Sequence, residues 1–150
     1  MDQLDRTILR VLQEAPDLSV QALAERVGLS HTPCWRRLKK LEAAGAIRGR
    51  AVLLNPDALD LKINVYAYVK LKQHDEETLD AVERIVQAQP EIVECFLMSG
   101  DSDYILRIVT GSVAQYEAFL KKVLLHLPGG AAITSRFTLK CVKLTTKIPV

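Results

Sequence analysis

Over the first 45 residues the apolar positions recur at helical spacing, and at Ile63 the period drops to two. Leu4, Ile8, Val11 and Leu12 fall at i, i+4, i+7 and i+8, which predicts an amphipathic helix over 2–14, ended by Ala15-Pro16-Asp17. Ser19 is placed to cap a second helix whose stripe is Leu23, Ala24 and Val27, and Gly28 ends it because glycine tolerates positive φ. Ser30 is placed to cap a third helix. Pro33 lies in its first turn, where the missing N–H breaks no bond. Cys34, Leu38 and Leu41 form its apolar face, with Trp35, Arg36, Lys39 and Lys40 turned away and Gly45 as the terminal cap. Ile47–Arg50 with Val52–Leu54 predicts a small β-wing, and Asn55-Pro56-Asp57 is a turn.

From Ile63 the residues Ile63, Val65, Ala67, Val69 and Leu71 alternate with Asn64, Tyr66, Tyr68, Lys70 and Lys72, the mark of a strand with one buried face. A helix over 75–88 buries Leu79, Val82, Ile85 and Val86. Strands over 92–98 and 104–110 flank the hairpin loop Ser99–Asp103. Ser112 and Gln115 form a capping box for a helix expected to bury Val113, Phe119, Val123 and Leu127, and Pro128-Gly129-Gly130 turns into a long last strand, 131–144. The order βαββαβ predicts a ferredoxin-like sheet with both helices on one face. The strands over 92–98 and 104–110 are apolar on both faces, Val93, Cys95 and Leu97 alternating with Ile92, Phe96 and Met98. An open apolar sheet face needs a cover, and a second copy of the chain in a symmetric dimer supplies one.

The fold class expected is therefore α+β, a winged helix-turn-helix over 1–54, a linker over 55–62 and a βαββαβ domain over 63–150. Charge divides along the same line. Residues 1–50 carry nine Lys/Arg against six Asp/Glu, and residues 51–150 carry eleven against twelve. The basic excess sits where a phosphate backbone would use it. Apolar runs fall short of a membrane span and no signal-peptide hydrophobic region opens the chain, so the expected location is the cytoplasm, away from membranes. Cys34, Cys95 and Cys141 lie in apolar patterns without Cys-x-x-Cys spacing and read as reduced core residues.

Ala24, Gly28 and Cys34 have the spacing of a helix-turn-helix, the small residue permitting a close crossing and the glycine making the corner. The third helix then enters a major groove of double-stranded DNA by its N-terminal end, presenting Ser30, His31, Thr32, Trp35 and Arg36, with Arg37, Lys39 and Lys40 adding positive charge. Arg48 and Arg50, on the wing, are placed to touch phosphates. The competing reading is a solvated cationic helix face. In the loop Ser99-Gly100-Asp101-Ser102-Asp103-Tyr104 a glycine can turn backbone N–H groups toward one point while Asp101 or Asp103 supplies negative charge, which suits an amino acid's carboxylate and ammonium. Good hairpin residues would look the same. Leu106 stands where a calcium loop needs glycine, and His31 with Cys34 has no second ligand pair, so no metal site and no cofactor are expected. His74 and His126 read as solvent-facing residues at helix ends. No nucleophile elbow or phosphate loop is present, and an enzyme is not expected.

LDRTILRVLQ, LAERVGLSHTPCWRRLKKLEAAGAI, VLLNP and SGDSDYILR together resemble the Lrp/AsnC family, the feast/famine transcriptional regulators of bacteria and archaea. The resemblance spans essentially the whole chain. It implies an N-terminal winged helix-turn-helix, a C-terminal amino-acid-binding (RAM) domain, and homodimers that assemble further, commonly to octamers, with a small amino-acid effector bound between dimers. It also implies effector contacts in the hairpin region, here Met98, Ser99, Gly100, Asp101, Asp103 and Tyr104. The TPCW stretch is similar to a branch that includes cysteine-responsive regulators. Two functions follow. One is a DNA-binding regulator responding to a small amino acid. The other is an amino-acid-binding regulatory subunit resembling ACT domains, with the helical part as a docking module.

Overall fold

In the computed structural model, which describes all 150 residues, the chain opens with three helices, α1 (Gln3–Glu14), α2 (Val20–Val27) and α3 (His31–Ala43). Asp2 and Asp5 cap α1 reciprocally, each carboxylate accepting the other's backbone N–H at 2.8 and 3.0 Å. Ser19 Oγ accepts from Ala22 N–H at the start of α2. Ser30 precedes α3, but its side chain makes no capping bond. Gly28 (φ +70°) and Gly45 (φ +71°) close α2 and α3 with paired return bonds. Leu29 N–H reaches the Ala24 carbonyl, and Ala46 N–H reaches that of Leu41. Ile8, Leu9, Leu23, Ala24, Cys34, Leu38 and Leu41 form the core of this helical unit.

The expected β-wing is absent. Residues 46–56 run without a ladder, and Val52, Leu53 and Leu54 stand exposed, because the segment has no second strand in its own chain to pair with.

The sheet is built from β1 (Ile63–Lys70), β2 (Ile92–Leu97), β3 (Tyr104–Thr110) and β4 (Ala132–Phe137), all antiparallel, in the order β2-β3-β1-β4. Helices α4 (Glu76–Gln87) and α5 (Val113–Lys122) cover one face, packing on Val65, Ala67, Val69, Leu106 and Ile108. That is the ferredoxin-like arrangement. Asp75 caps α4 through Thr78 N–H, and Ser112 caps α5 through Gln115 N–H. The Gln115 side chain reaches the Gly111 N–H, one residue short of a true capping box. The buried stripe of α5 is Tyr116 and Phe119, continued by Leu124 and Leu127, while Val113 is exposed.

Two departures from the strand pattern have visible causes. A bulge between Ile92 and Glu94 uses up one residue, so Ile92 lies opposite Ile108 on the helix side and Glu94 opposite Arg107 on the open side. The last strand stops at Phe137, not at 144. Phe137 pairs with Val65 and Thr138 bonds Asn64, near the start of β1, and beyond that β4 has no neighbour. Cys141 is accordingly exposed and Cys95 half-buried, leaving only Cys34 as a fully buried core thiol.

The chain divides into two compact units, Met1–Leu53 with Val142–Val150, and Leu54–Cys141. The final nine residues are grouped with the helical unit, whereas the βαββαβ domain is expected over 63–150. They are held there by Gln13, whose side-chain amide bonds the Ile148 backbone in both directions, at 2.7 and 3.0 Å, and by Val150, which packs on the helical core.

Candidate nucleic-acid interface and ligand loop

Helix α3 buries Cys34, Leu38 and Leu41, which turns Trp35, Arg36, Lys39 and Lys40 outward. Trp35 is 47% exposed, large for an indole with no structural partner. Arg36, Lys40, Arg48 and Arg50 enter no ion pair within the chain, whereas Lys39 reaches Glu42 one turn on at 2.8 Å. Ser30, His31 and Thr32 are exposed at the same helix's N-terminal end. Exposed polar groups and unpaired cations on one helix are of the kind that enters a DNA groove.

Arg37 is the exception. One guanidinium nitrogen, Nη1, donates to Asp2 Oδ2 at 2.6 Å and to Asp5 Oδ1 at 2.7 Å. Each carboxylate gives one oxygen to the helix cap and the other to Arg37. The backbone N–H of Asp2 and then the Arg37 guanidinium hold the Asp5 carboxyl below the usual carboxylate range. Asp2 is lowered by the Asp5 N–H first and by Arg37 second. Arg37 is therefore committed to α1 and is withdrawn from the DNA-facing set. The pairing spans 32 residues, so no local spacing announces it. The faint signal is phase, since Arg37 shares a helix face with Cys34 and Leu41.

At the tip of the β2–β3 hairpin, the N–H groups of Ser99, Gly100, Asp101 and Ser102 donate to no acceptor in the chain. Gly100 sits at φ +113°, a conformation open to glycine but not to residues with a Cβ. Met98, Ser99, Gly100 and Asp101 are exposed. Asp103 is not the free carboxylate the sequence suggests. Its Oδ2 accepts the Leu71 N–H at 2.6 Å and its Oδ1 lies 2.9 Å from His74 Nε2. Its own N–H and C=O bond Val69 and Met98. The Leu71 N–H chiefly, and His74 after it, keep the Asp103 carboxyl below its ordinary range. Asp103 thus ties the hairpin to the end of β1, and His74, read from the sequence as merely solvent-facing, is part of that tie.

Tyr104 is also placed differently from expectation. Its ring is buried, and its hydroxyl donates to Glu83 Oε1 at 3.2 Å. Burial and the Glu83 charge push its phenol up to about 12. Strand alternation dictates this, since Tyr104, Leu106 and Ile108 all face the helices.

The open face of the sheet carries Tyr66, Tyr68, Phe96, Ile105 and Val109 around an ion pair of Arg107 with Glu94 at 2.7 Å, and Arg136 lies 4.8 Å over the Tyr68 ring. No cluster of His, Cys, Asp and Glu able to hold a metal is present, and no helix is long and apolar enough to cross a membrane.

Residues 1–48 match the winged helix-turn-helix DNA-binding family, and residues 64–148 match the Lrp/AsnC ligand binding domain. The DNA-binding transcriptional activator DecR of Escherichia coli (strain K12) is 35% identical over 150 residues, covering all of this chain and 99% of that protein. An AsnC family transcriptional regulator from Agrobacterium tumefaciens has the same fold, with a TM-score of 0.93, 43% identity, and coverage of 99% of this chain and 97% of its own. A transcriptional regulator from Neisseria meningitidis, solved in complex with L-Met, gives a TM-score of 0.94 and 36% identity, over 99% of this chain and 96% of its own.

Proposed function

We propose a mode of action that proceeds from one fact: the chain belongs to the Lrp/AsnC family of transcriptional regulators. It is a DNA-binding regulator with an amino-acid-binding domain, and it is not an enzyme. The match of residues 1–48 to a DNA-binding family favours this over an ACT-like regulatory subunit whose helical part only docks.

Helix α3 reads the major groove with Ser30, His31, Thr32, Trp35 and Arg36, while Lys39, Lys40 and Arg48 neutralise phosphates. The observation that supports this most is the division of labour on α3. Arg37 is tied back to α1, and its neighbours Trp35 and Arg36 are left outward without a partner. The effector is a small amino acid held at the hairpin tip around Met98, Ser99, Gly100 and Asp101. The four free N–H groups receive its carboxylate, and Asp101 is the carboxylate still available for its ammonium group. The L-Met complex of the Neisseria meningitidis regulator supports an apolar side chain on that effector.

The chain acts in the cytoplasm as a homodimer closed through the open face of the sheet, where Phe96 is 58% exposed beside Tyr66 and Tyr68. Dimers assemble further, to octamers, and the effector acts by favouring one assembly over another, since a ligand binding both equally shifts nothing. The test is a thermal-shift screen against the twenty amino acids, followed by gel-shift and size-exclusion measurements with the best ligand. A ligand that stabilises the protein and changes operator affinity or particle size supports this mode of action. No stabilisation by any amino acid removes the effector half of it.

A further inference from the structure

We propose that the C-terminal strap, Val142–Val150, is part of the DNA-binding surface, with Lys143 and Lys147 contacting the sugar-phosphate backbone of duplex DNA beside Arg48 and Arg50. The inference rests on the DNA-binding role described above and extends it to a segment outside residues 1–48.

The strap is held in the helical unit by specific bonds. Gln13 Nε2 donates to the Ile148 carbonyl at 3.0 Å, and its Oε1 accepts the Ile148 N–H at 2.7 Å, so one side-chain amide reproduces the two-way pairing of a β-ladder. Two residues on, Val150 is half-buried against the helical core. Residues Leu144–Ile148 and Ala46–Ala51 line one cavity together with Leu9 and Leu12 of α1. The strap therefore lies close to the segment that carries Arg48 and Arg50.

Charge points the same way. Thr138–Val150 contains three lysines and no Asp or Glu. Met1–Leu53 carries nine Lys/Arg against six Asp/Glu. Lys143 and Lys147 raise the unit from +3 to +5, while Leu54–Cys141, with nine against twelve, is left at −3. Lys143, Lys147, Arg48 and Arg50 are exposed, and none is paired with an acid. Glu14 is the one acidic side chain among the cavity residues, and it too makes no ion pair. A cation on a docked backbone reaches a phosphate at less entropic cost than one on a free tail, because the backbone is already ordered.

The experiment is the salt dependence of binding to a labelled mixed-sequence duplex, by fluorescence anisotropy, for wild type, the double variant K143Q/K147Q, and Gln13→Ala. Each phosphate contact adds about 0.9 to the slope of log K against log salt. The double variant is expected to flatten that slope by about 1.8, so that it loses roughly tenfold less affinity than wild type between about 50 and 200 mM salt. Gln13→Ala, which unpins the strap without removing a charge, is expected to flatten it in the same direction. A wild-type slope in K143Q/K147Q overturns the proposal. A flattened slope there with a wild-type slope in Gln13→Ala overturns the docked geometry. Absence of salt-dependent binding in the wild type would instead remove the DNA-binding role itself, an outcome distinct from either.

Discussion

Arg37 Nη1 lies 2.7 Å from Asp5 Oδ1, joining the middle of α3 to the capped first turn of α1. The Asp5 side chain is only 6% exposed, and all four oxygens of Asp2 and Asp5 are occupied by the cap and by this one guanidinium. A cation so placed orients α3 and is unavailable to a phosphate. Two neighbouring arginines on one helix thus have different work, Arg36 outward and Arg37 inward.

Replacing each arginine separates the two roles. Arg36→Ala is expected to weaken specific binding by about 1–3 kcal/mol if Arg36 reads a guanine edge. Arg37→Gln is expected to lower operator affinity without changing the salt slope, because no phosphate contact is lost. In an Asp5→Asn background, where the tie is already weakened, Arg37→Gln should add little further loss. Strict additivity of the two substitutions on operator affinity would show that Arg37 acts on DNA directly.

Acid should loosen both units. Asp2, Asp5 and Asp103 all have folded carboxyl pKa values below the ordinary one, held down by backbone N–H donors first and by Arg37 or His74 after them. Groups depressed in the folded state stabilise it above their unfolded value of about 3.9, and that contribution is lost as pH falls through the folded value. Melting temperature is therefore expected to hold from neutrality down to about pH 5 as far as these groups decide it, and to fall progressively below about pH 4. Asp5→Asn should make the acid limb shallower, and an unchanged limb would show that the tie contributes nothing.

Asp103→Ala removes an acceptor that Leu71 N–H and His74 share. An exposed hairpin carboxylate without partners would cost little to remove. Its bonds to β1 indicate a cost of about 1–2 kcal/mol, together with a hairpin tip no longer fixed to the end of the sheet. Asp103→Asn keeps an acceptor for Leu71 N–H and should recover most of that stability. Calorimetric titration of both variants with the best effector separates anchoring from direct contact. Recovery of ligand affinity in Asp103→Asn marks an anchor, and loss of it in both marks a contact.

The three thiols should label in order of exposure. Cys141 is exposed and should react with a maleimide or disulfide reagent at once, Cys95 slowly, and Cys34 only on unfolding. Burial raises the thiols of Cys34 and Cys95, with Glu83 adding to the latter, so their thiolate fraction near neutral pH is smaller still. Mass spectrometry of labelled peptides over time checks the order. Early labelling of Cys34 would mean that the helical core opens readily.

Much of this protein is written locally. The helices over 3–14, 20–27 and 31–43, the caps at Ser19 and Ser112, the corner at Gly28 and the alternation of β1 were legible because each depends on residues within one or two turns of one another. The exposed face of α3 follows from the same period. The sequence reading groups Tyr104 with its loop neighbours as a site residue, although it alternates with Leu106 and Ile108 and is buried with them. Pairing across distance was not. Arg37 meets Asp5 across 32 residues, Asp103 meets Leu71 across 32, and Gln13 meets Ile148 across 135. The last strand looks extended to residue 144, yet an extended segment becomes a strand only where a neighbour offers its own N–H and C=O groups. Near Asn64 that neighbour runs out. Sequence period determined which residues share a face, and tertiary structure decided which faces and ends meet, because a hydrogen bond or ion pair exists only where folding brings its two halves together.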